Sequence, residues 1–247
     1  MEPLLAALSF YTRIPVAYQF EDWQAAQQRS IVYFPLIGWL VGGVAALIFQ
    51  WSVILFPPAV ALLLSMISSL LLTGALHEDG LADSCDGFGG GWTAEETLAI
   101  MKDSHIGVYG VLGVILVLGL KFVTLLAVEI HLIPFLLITA HSLSRLVAAS
   151  FLFTHHYVAP KQSKAQAWVK RLSIQELGTI ALFAGLPLFL FVNPFAFLVV
   201  IPLFLFQIVL GRYFTKRIGG YTGDCLGAAQ QLAEVLCYLT VLAGSRL

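Results

Sequence analysis

The chain has 247 residues, of which 59% are hydrophobic and 11% are charged, and its formal net charge is −1. A typical soluble domain carries about 25% charged residues, so this composition excludes an ordinary soluble globular protein. We expect an integral membrane protein that contacts lipid and has no nucleic-acid partner.

Apolar segments long enough to cross about 30 Å of hydrocarbon recur along nearly the whole sequence. We therefore predict an all-α, polytopic transmembrane bundle with about seven crossings, which forms a single integral-membrane catalytic domain over residues 1–247. The predicted crossings are 31–56, 57–76, 107–128, 132–153, 176–192, 194–210 and 223–243. The N-terminal sequence "MEPLLAALSFYTRIPV" has no basic region before its apolar part, which predicts an amphipathic helix lying at the membrane interface.

The distribution of basic residues predicts the orientation in the membrane. Alternating crossings place the N-terminus and the segments 77–106, 154–175 and 211–222 on one face. Lysine and arginine accumulate on the cytoplasmic side of short loops, so the face that carries them is predicted to be cytoplasmic. That face holds Arg13, Arg29, Lys102, Lys161, Lys164, Lys170, Arg171, Arg212, Lys216 and Arg217.

A cluster of carboxylates in "HEDGLADSCDGFGGG", residues 77–91, follows the second predicted crossing. Asp79, Asp83 and Asp86 have the spacing i, i+4, i+7, which places them within about 60° of one another on a helix. Like charges on one stripe repel, and a divalent cation bound by carboxylate oxygens removes the repulsion. The pattern predicts a Mg²⁺ site, with Mn²⁺ as an alternative; a solvated acidic helix end is the other interpretation.

Glycines follow the carboxylates at positions 87, 89, 90 and 91. Glycine lets backbone N–H groups approach a phosphate closely, so Gly89 and Gly90 are candidate phosphate contacts. After these glycines, Thr93 and Glu96 have the spacing of a capping box and predict the start of a short helix.

A second polar block, "MKDSHIGVYG", occupies residues 101–110 at the start of the third predicted crossing. A helix N-terminus favours anions, so Lys102 and His105 are candidates for phosphate binding, and His105 is also a candidate base. The alternatives are a lysine that reaches lipid headgroups and an ordinary interfacial histidine.

The third block is "RIGGYTGDCLGAAQQLAE", residues 217–234. Its glycines predict a turn, and Asp224 then begins the seventh predicted crossing. A carboxylate at this place is either a helix N-cap or part of the site.

Charged residues inside the predicted crossings need partners, because a lone charge in lipid is costly. Arg145 should meet either a substrate phosphate or the carboxylate of Glu234, and Lys121 is expected to reach the far interface near Glu129. The basic loop that contains Lys161 is either a lid over an anionic substrate or only the positive-inside signature.

The three blocks, together with "LSFYTRIPV" and "YFPLIGWLVGG", resemble cobalamin synthase, the adenosylcobinamide-GDP ribazoletransferase family. The similar blocks span almost the full chain in the expected order. The resemblance implies a multi-pass enzyme of the cell inner membrane, with its active site on the cytoplasmic side. Such an enzyme joins adenosylcobinamide-GDP to alpha-ribazole or its 5′-phosphate, releases GMP and requires Mg²⁺. A homo-oligomer or a complex with other cobalamin-assembly enzymes is a further expectation.

The resemblance and the residue patterns together give the predicted site. Metal ligands are Asp79, Asp83, Asp86 and Asp224, and the catalytic residues are Asp83, Asp103 and His105. Predicted substrate contacts are Lys102, Arg145, Gly89, Gly90, Gly220, Thr222 and Lys161.

Two other functions are considered. The DG-x-x-A core also resembles the CDP-alcohol phosphotransferases, but Asp83 stands where their arginine is expected. A cation-coupled transporter would also carry intramembrane charges, although transporters tend to place their site at the midplane between repeats. The acidic residues here gather at one face instead.

Overall fold

The computed structural model describes residues 1–158, 170–191 and 194–244, which are almost entirely helical. The helices are α1 (Glu2–Tyr11), α2 (Trp23–Ser30), α3 (Phe34–Leu55), α4 (Pro58–Thr73), α5 (Leu76–Gly90), α6 (Ala94–Ile100), α7 (Val108–Ala127), α8 (Ile133–Thr154), α9 (Ile174–Gly185), α10 (Val200–Ile218) and α11 (Gly223–Gly244). Single 3₁₀ turns precede α3, follow α9 and precede α10. The predicted all-α fold is confirmed, and so is the capping box of Thr93 and Glu96 at the start of α6.

The helices long and apolar enough to cross a membrane number five in the described residues, or six if α4 and α5 are counted together as one bent span. The five overlap the predicted crossings 31–56, 107–128, 132–153, 194–210 and 223–243, although the first begins earlier, at Trp23, and the fourth ends later, at Ile218. The described residues thus give five or six candidate spans by length and composition, beside the prediction of about seven crossings. Helix α4 has only 16 residues, and α9 has 12 before it continues as a 3₁₀ turn.

Small residues let the central helices approach closely. A Cβ atom at Gly42 of α3 would lie 2.7 Å from the Cα of Ile138 on α8, and one at Gly38 would collide with the carbonyl oxygen of His141. Close backbone contact through small residues is the usual way in which membrane helices associate, because lipid leaves no hydrophobic driving force between them. Helices α3 and α8 therefore form the centre of the bundle.

A sharp bend between α4 and α5 directs the carboxylate helix across one end of the bundle. The helix axes meet at 88°, and Gly74 and Ala75 take left-handed backbone angles with φ of 66° and 56°. Such angles are easy for glycine and unfavourable for alanine. The Arg13 side chain lies against Gly74, and the backbone N–H of Arg13 donates to the Leu72 carbonyl oxygen at 2.7 Å. The segment after α1 thus packs on the bend.

Helix α5 then packs on α11 through glycines on both partners. A Cβ at Gly80 would lie 3.0 Å from the Cα of Asp224, and a Cβ at Gly227 would lie 3.0 Å from the His77 carbonyl oxygen. This contact joins the first and third polar blocks of the sequence.

Candidate active site

The aspartates on α5 share a helix, as predicted, but they differ in environment. Asp79 is exposed, Asp83 is half-buried and Asp86 is buried. The stripe therefore runs from the solvent-facing side of α5 into its contact with α7.

Asp86 binds the backbone at the start of α7. Its carboxylate accepts hydrogen bonds from Gly107 N–H at 2.7 Å and Gly110 N–H at 2.8 Å. The N-cap residue of α7 is Gly107, which has no side chain that could cap the helix. Asp86 on the neighbouring helix α5 supplies the capping oxygens instead. A Cβ at either glycine would collide with this carboxylate. The structure thus gives Asp86 a clear packing role, whereas its role as a metal ligand remains a prediction.

Asp224 is not the N-cap of its helix. The capping bond of α11 comes from Thr222, whose hydroxyl accepts from Cys225 N–H at 3.2 Å. The same hydroxyl lies 3.4 Å from Oδ2 of Asp224. Because capping is done by Thr222, the carboxylate of Asp224 is available for binding.

Asp79 and Asp224 line one cavity of about 570 Å³ at the end of the bundle. The Gly80–Asp224 contact places the two carboxylate-bearing turns side by side. The cavity is also lined by Phe10, Tyr157 and Tyr221. These residues come from the segments that alternating crossings place on one face, so the structure brings those segments together at one end.

The carboxylates at this end act on one another electrostatically. Burial raises the pKa of the Asp83 carboxyl, and the nearby charges of Asp224, Asp79 and Asp86 raise it further. The Lys102 ammonium lies near the carboxylate of Asp224 and carries the opposite charge. The predicted repulsion among the carboxylates is therefore present in the fold, and Lys102 offsets part of it.

A divalent cation fits this site if the substrate completes its coordination. Within the described residues, no three His, Cys, Asp or Glu side chains lie close enough together to hold an ion by themselves. Magnesium commonly binds through one or two carboxylates together with substrate phosphates, rather than in a cage made only of protein atoms. Asp79 and Asp224, with Asp83 beside them, satisfy that requirement, because they bring carboxylate oxygens to a cavity that a phosphate can enter.

The loop 102–105 is fixed at both ends next to these carboxylates. Before it, the Met101 sulfur lies 4.0 Å from the Thr222 hydroxyl, and after it Gly107 is bound by Asp86. Within the loop, Nδ1 of His105 lies 2.6 Å from Oδ1 of Asp103, and both side chains are exposed. The hydrogen bond from His105 lowers the pKa of the Asp103 carboxyl. This arrangement orients the imidazole and leaves its Nε2 directed away from the partner aspartate.

The glycines at the end of α5 do not form the predicted phosphate-binding loop. Helix α5 continues through Gly90, so Gly89 and Gly90 belong to its last turn, where carbonyl oxygens rather than N–H groups are unpaired. Arg217 donates to two of these carbonyls, those of Phe88 at 3.1 Å and Gly91 at 2.8 Å. This helix end is the negative end of a helix dipole, which disfavours an anion.

Gly220 has a packing role as well. It is buried, and a Cβ at this residue would collide with the carbonyl oxygen of His156. The next residue, Tyr221, donates its N–H to that carbonyl at 3.0 Å and accepts from Val158 N–H at 2.8 Å. These bonds hold the turn before α11 against the segment after α8.

The buried charges pair differently from the prediction. Glu234 accepts from Lys121 Nζ at 2.9 Å and lies 3.2 Å from Nδ1 of His141. The expectation that Lys121 reaches towards Glu129 is wrong, because Glu129 instead lies 3.5 Å from His131 at the surface. A lysine in mid-helix is satisfied at lower cost by a buried carboxylate than by stretching to the interface.

Among the described residues, Arg145 contacts neither a carboxylate oxygen within salt-bridge distance nor the cavity surface. Its guanidinium donates to the His141 carbonyl at 2.7 Å and lies 5.3 Å from the centre of the Phe34 ring, and its Nε has no partner. The residue is 1% exposed. Phe34 lines the cavity, so Arg145 stands behind the cavity wall. The predicted substrate contact Lys161 lies outside the described residues.

Sequence reasoning missed the aromatic lining of the cavity. Tyr11, Phe34, His77, Tyr157 and Tyr221 lie in or beside the conspicuous sequence blocks, but no role was predicted for them. Aromatic residues near the ends of membrane helices normally belong to the interfacial belt, so their presence in the sequence carries little information.

Comparison with known proteins then identifies the family. The family model described as cobalamin-5-phosphate synthase matches residues 3–242. The chain belongs to this family.

Curated relatives agree with the family match over nearly the full length. A protein of Ralstonia pickettii is 46% identical over 246 residues, covering 98% of this chain and 95% of the relative. One from Shewanella frigidimarina is 44% identical over 242 residues, covering 96% of this chain and 92% of the relative. One from Vibrio parahaemolyticus is 43% identical over 247 residues, covering 98% and 92%. All three are named adenosylcobinamide-GDP ribazoletransferase. The predicted membership of an enzyme family of cobalamin biosynthesis is confirmed, and no solved structure matches the chain.

Proposed function

We propose that the chain transfers the phosphocobinamide group of adenosylcobinamide-GDP to alpha-ribazole or its 5′-phosphate. In this reaction a ribose hydroxyl oxygen of the acceptor bonds to the phosphorus nearer cobinamide. The bond from that phosphorus to the bridging oxygen breaks, and GMP leaves with the bridging oxygen. The names of the relatives support the donor and the reaction.

The observation that carries the proposal is the convergence of Asp79 and Asp224 on one cavity. These carboxylates come from sequence blocks about 145 residues apart and meet because Gly80 allows α5 to lie against the backbone of Asp224. A structural acidic surface has no need of such a contact. A site for a diphosphate needs carboxylates from more than one element, so that the metal and the phosphates are held in one orientation.

Asp79 and Asp224 would hold a Mg²⁺ ion together with the diphosphate of the donor, with Asp83 beside them. When bound, the ion neutralises charge on the nonbridging and leaving oxygens, where phosphoryl transfer needs stabilisation. Lys102 lies near Asp224 and would contact the same phosphates from the loop side. Asp86 would hold α5 against the start of α7, and so against the end of the loop 102–105, through its hydrogen bonds from Gly107 and Gly110.

His105 would accept the proton of the attacking hydroxyl. Asp103 holds its Nδ1 at 2.6 Å, which fixes the ring orientation and leaves Nε2 as the reactive nitrogen. The imidazole is exposed in a loop tied to Thr222 and Asp86 at its two ends, and a bound donor would cover it.

The site would face the cytoplasm at the inner membrane. The segments gathered around the cavity are those that carry the basic residues of the sequence, and basic loops remain on the cytoplasmic side.

The decisive experiment is GMP release by purified protein in detergent or in proteoliposomes. The protein is supplied with adenosylcobinamide-GDP, alpha-ribazole or its 5′-phosphate, and Mg²⁺, Mn²⁺ or EDTA. We expect GMP and the joined corrinoid in equal amounts with the metal, and neither product with EDTA. Wild-type protein that releases no GMP, or that prefers a CDP-activated alcohol as donor, would overturn the proposal.

A further inference from the structure

Glu78 is next to Asp79 on α5, but its side chain points into the bundle and does not line the cavity as the described residues define it. Its carboxylate oxygen Oε1 accepts a hydrogen bond from Nε2 of Gln231 on α11 at 2.8 Å. Gln231 is 2% exposed. Glu78 therefore joins the start of the carboxylate helix to a buried side chain of α11.

The amide group of Gln231 is held in one orientation by its neighbours. Its Oε1 accepts from Nζ of Lys121 on α7 at 2.6 Å, and a lysine ammonium can only donate. The two N–H bonds of the amide are therefore left for acceptors, and they bind Glu78 and Oε1 of Gln230, each at 2.8 Å. Lys121 is itself held by Glu234. Buried residues on two helices thus fix the donor that binds Glu78.

The contact of α5 with α11 follows one stripe of α11. Asp224, Gly227 and Gln231 have the spacing i, i+3, i+7, which places them on one side of that helix. Each of them contacts one residue near the start of α5, and the pairs are Asp224 with Gly80, Gly227 with His77, and Gln231 with Glu78. The first two contacts are close backbone approaches with little preferred direction. The third is a charge-assisted hydrogen bond, so it fixes how the first turn of α5 is rotated against α11.

The two cavity carboxylates, Asp79 and Asp224, lie on the same two helix segments. Asp79 is exposed, and the N-cap residue of α5, Ala75, has no side chain that could cap the helix. The direction of the Asp79 carboxylate therefore depends on the rotation of the first turn of α5. Mg²⁺ demands near-ideal octahedral geometry with ligands at about 2.0–2.1 Å, so a small rotation of this turn would weaken binding.

We propose that Glu78 and Gln231 are positioning residues of the metal site, because their hydrogen bond sets the separation of the Asp79 and Asp224 carboxylates. This inference rests on the proposed function. The two residues act through the backbone of α5 and α11 and not by contact with metal or substrate. The ammonium of Lys121 holds Gln231 from the side of α7, so a buried charge inside the bundle contributes to the geometry of the site at its end.

The test measures metal binding without turnover. Purified protein in detergent is titrated with Mn²⁺ in the presence of adenosylcobinamide-GDP and without acceptor. Electron paramagnetic resonance reports the free Mn²⁺, which gives the Kd and the number of sites. Titration of the donor without protein gives the Mn²⁺ that the diphosphate binds by itself.

Four variants separate the hydrogen bond from general stability. Glu78→Leu and Gln231→Leu remove the bond, whereas Glu78→Gln keeps an oxygen that can accept from Nε2 of Gln231. Tyr238→Phe is the matched control. Tyr238 is buried on α11, and its hydroxyl donates to Glu234 at 2.9 Å and not to a residue of α5.

We expect Glu78→Leu and Gln231→Leu to raise the Mn²⁺ Kd at least about tenfold without changing the number of sites. Glu78→Gln should stay within about threefold of the wild type. Tyr238→Phe should bind Mn²⁺ normally, although it loses a buried hydrogen bond and unfolds at a lower temperature. The Mg²⁺ concentration that gives half-maximal GMP release should follow the same order. If Gln231→Leu does not give a monodisperse protein, Glu78→Leu against Glu78→Gln decides the question.

The positioning role is wrong if the two leucine variants lose stability but keep the wild-type Kd for Mn²⁺. It is also wrong if Glu78→Gln binds as weakly as Glu78→Leu, since the charge and not the hydrogen bond would then matter, or if Tyr238→Phe binds equally weakly. Failure of the proposed function looks different. Wild-type protein that binds Mn²⁺ with the expected order of variants but releases no GMP retains the positioned metal site without the reaction.

Discussion

Gly80 and Asp224 are in direct backbone contact: a Cβ at Gly80 would lie 3.0 Å from both the Cα and the carbonyl oxygen of Asp224. The site carboxylates therefore depend on a residue that has no side chain and no chemistry of its own. The contact also explains how an acidic turn on α5 and a helix start on α11 form one site although they lie far apart in the sequence.

The first prediction follows from this contact. Gly80→Ala pushes α5 away from backbone atoms that cannot move aside, so we expect GMP release to fall at least about tenfold, with a stability cost of roughly 1–3 kcal/mol. Gly43→Ala is the control, since a Cβ there meets nothing within 4 Å. Equal activity in the two variants, measured as kcat/KM for the donor, would show that the close approach is unnecessary.

The second prediction concerns the carboxylates. Asp79→Asn and Asp224→Asn should each reduce kcat at least about 100-fold, because each removes a negative ligand at the same centre. The double variant should lose little more than either single variant, since residues that act as one unit are not additive. Glu95→Gln, at an exposed carboxylate of α6, should retain activity. If kcat of the double variant falls by the product of the two single losses, the two carboxylates have separate roles.

The third prediction separates two roles for Asp86. Asp86→Ala leaves the N–H groups of Gly107 and Gly110 without their acceptor, so we expect a loss of about 1–2 kcal/mol in the free energy of unfolding. The Mg²⁺ concentration that gives half-maximal activity should not change. A shift of that concentration by tenfold or more in metal titrations would instead make Asp86 a metal ligand.

The fourth prediction tests the buried ion pair. Lys121→Met removes the cation that faces Glu234, and breaking such a pair by removing one partner should cost roughly 3–5 kcal/mol. Adding Glu234→Gln should restore part of the loss, because the Glu234 carboxylate is then no longer left buried without its lysine. Unfolding in mixed detergent micelles measures the free energy of unfolding of the single and the double variant. Glu129→Gln, at the exposed pair with His131, is the neutral reference. A double variant less stable than Lys121→Met alone would contradict this account.

The fifth prediction concerns proton transfer. If His105 is the base, His105→Asn should lower kcat by about 10²–10⁴ without changing the KM of either substrate. Asp103→Asn should have a smaller effect, because it only releases the orientation of the ring. Stopped-flow or quenched single-turnover assays distinguish a chemical defect from slow product release. If His105→Asn has a normal single-turnover rate, His105 is not the base, and a carboxylate of the cavity takes that role.

The outcome at the buried charges shows where sequence reasoning reaches its limit. The sequence indicated that Arg145 meets either a substrate phosphate or Glu234, and Glu234 is indeed paired, but with Lys121 and His141. Sequence reasoning did not identify Lys121 as the partner of Glu234, since that depends on which helix lies beside α11 at that depth. In the structure α7 supplies Lys121, and Arg145 turns towards Phe34.

The glycines show the same limit of sequence reasoning. Gly89 and Gly90 suggested a phosphate loop, yet they end a helix, whereas Gly80, which attracted no attention, makes the contact on which the site depends. A glycine in a sequence shows only that backbone can approach something closely. The identity of that neighbour is a property of the fold.

The sequence by itself determined the membrane class and the positions of most helices, because composition and local spacing fix these properties, and the resemblance of its polar blocks indicated the family. Only the tertiary structure decided that Asp79 and Asp224 share a cavity, and that aromatic rings from four segments line this cavity. It also decided that Asp86 caps α7. Those facts depend on contacts between residues distant in sequence. Such contacts are set by how closely whole helices pack, which no local pattern encodes.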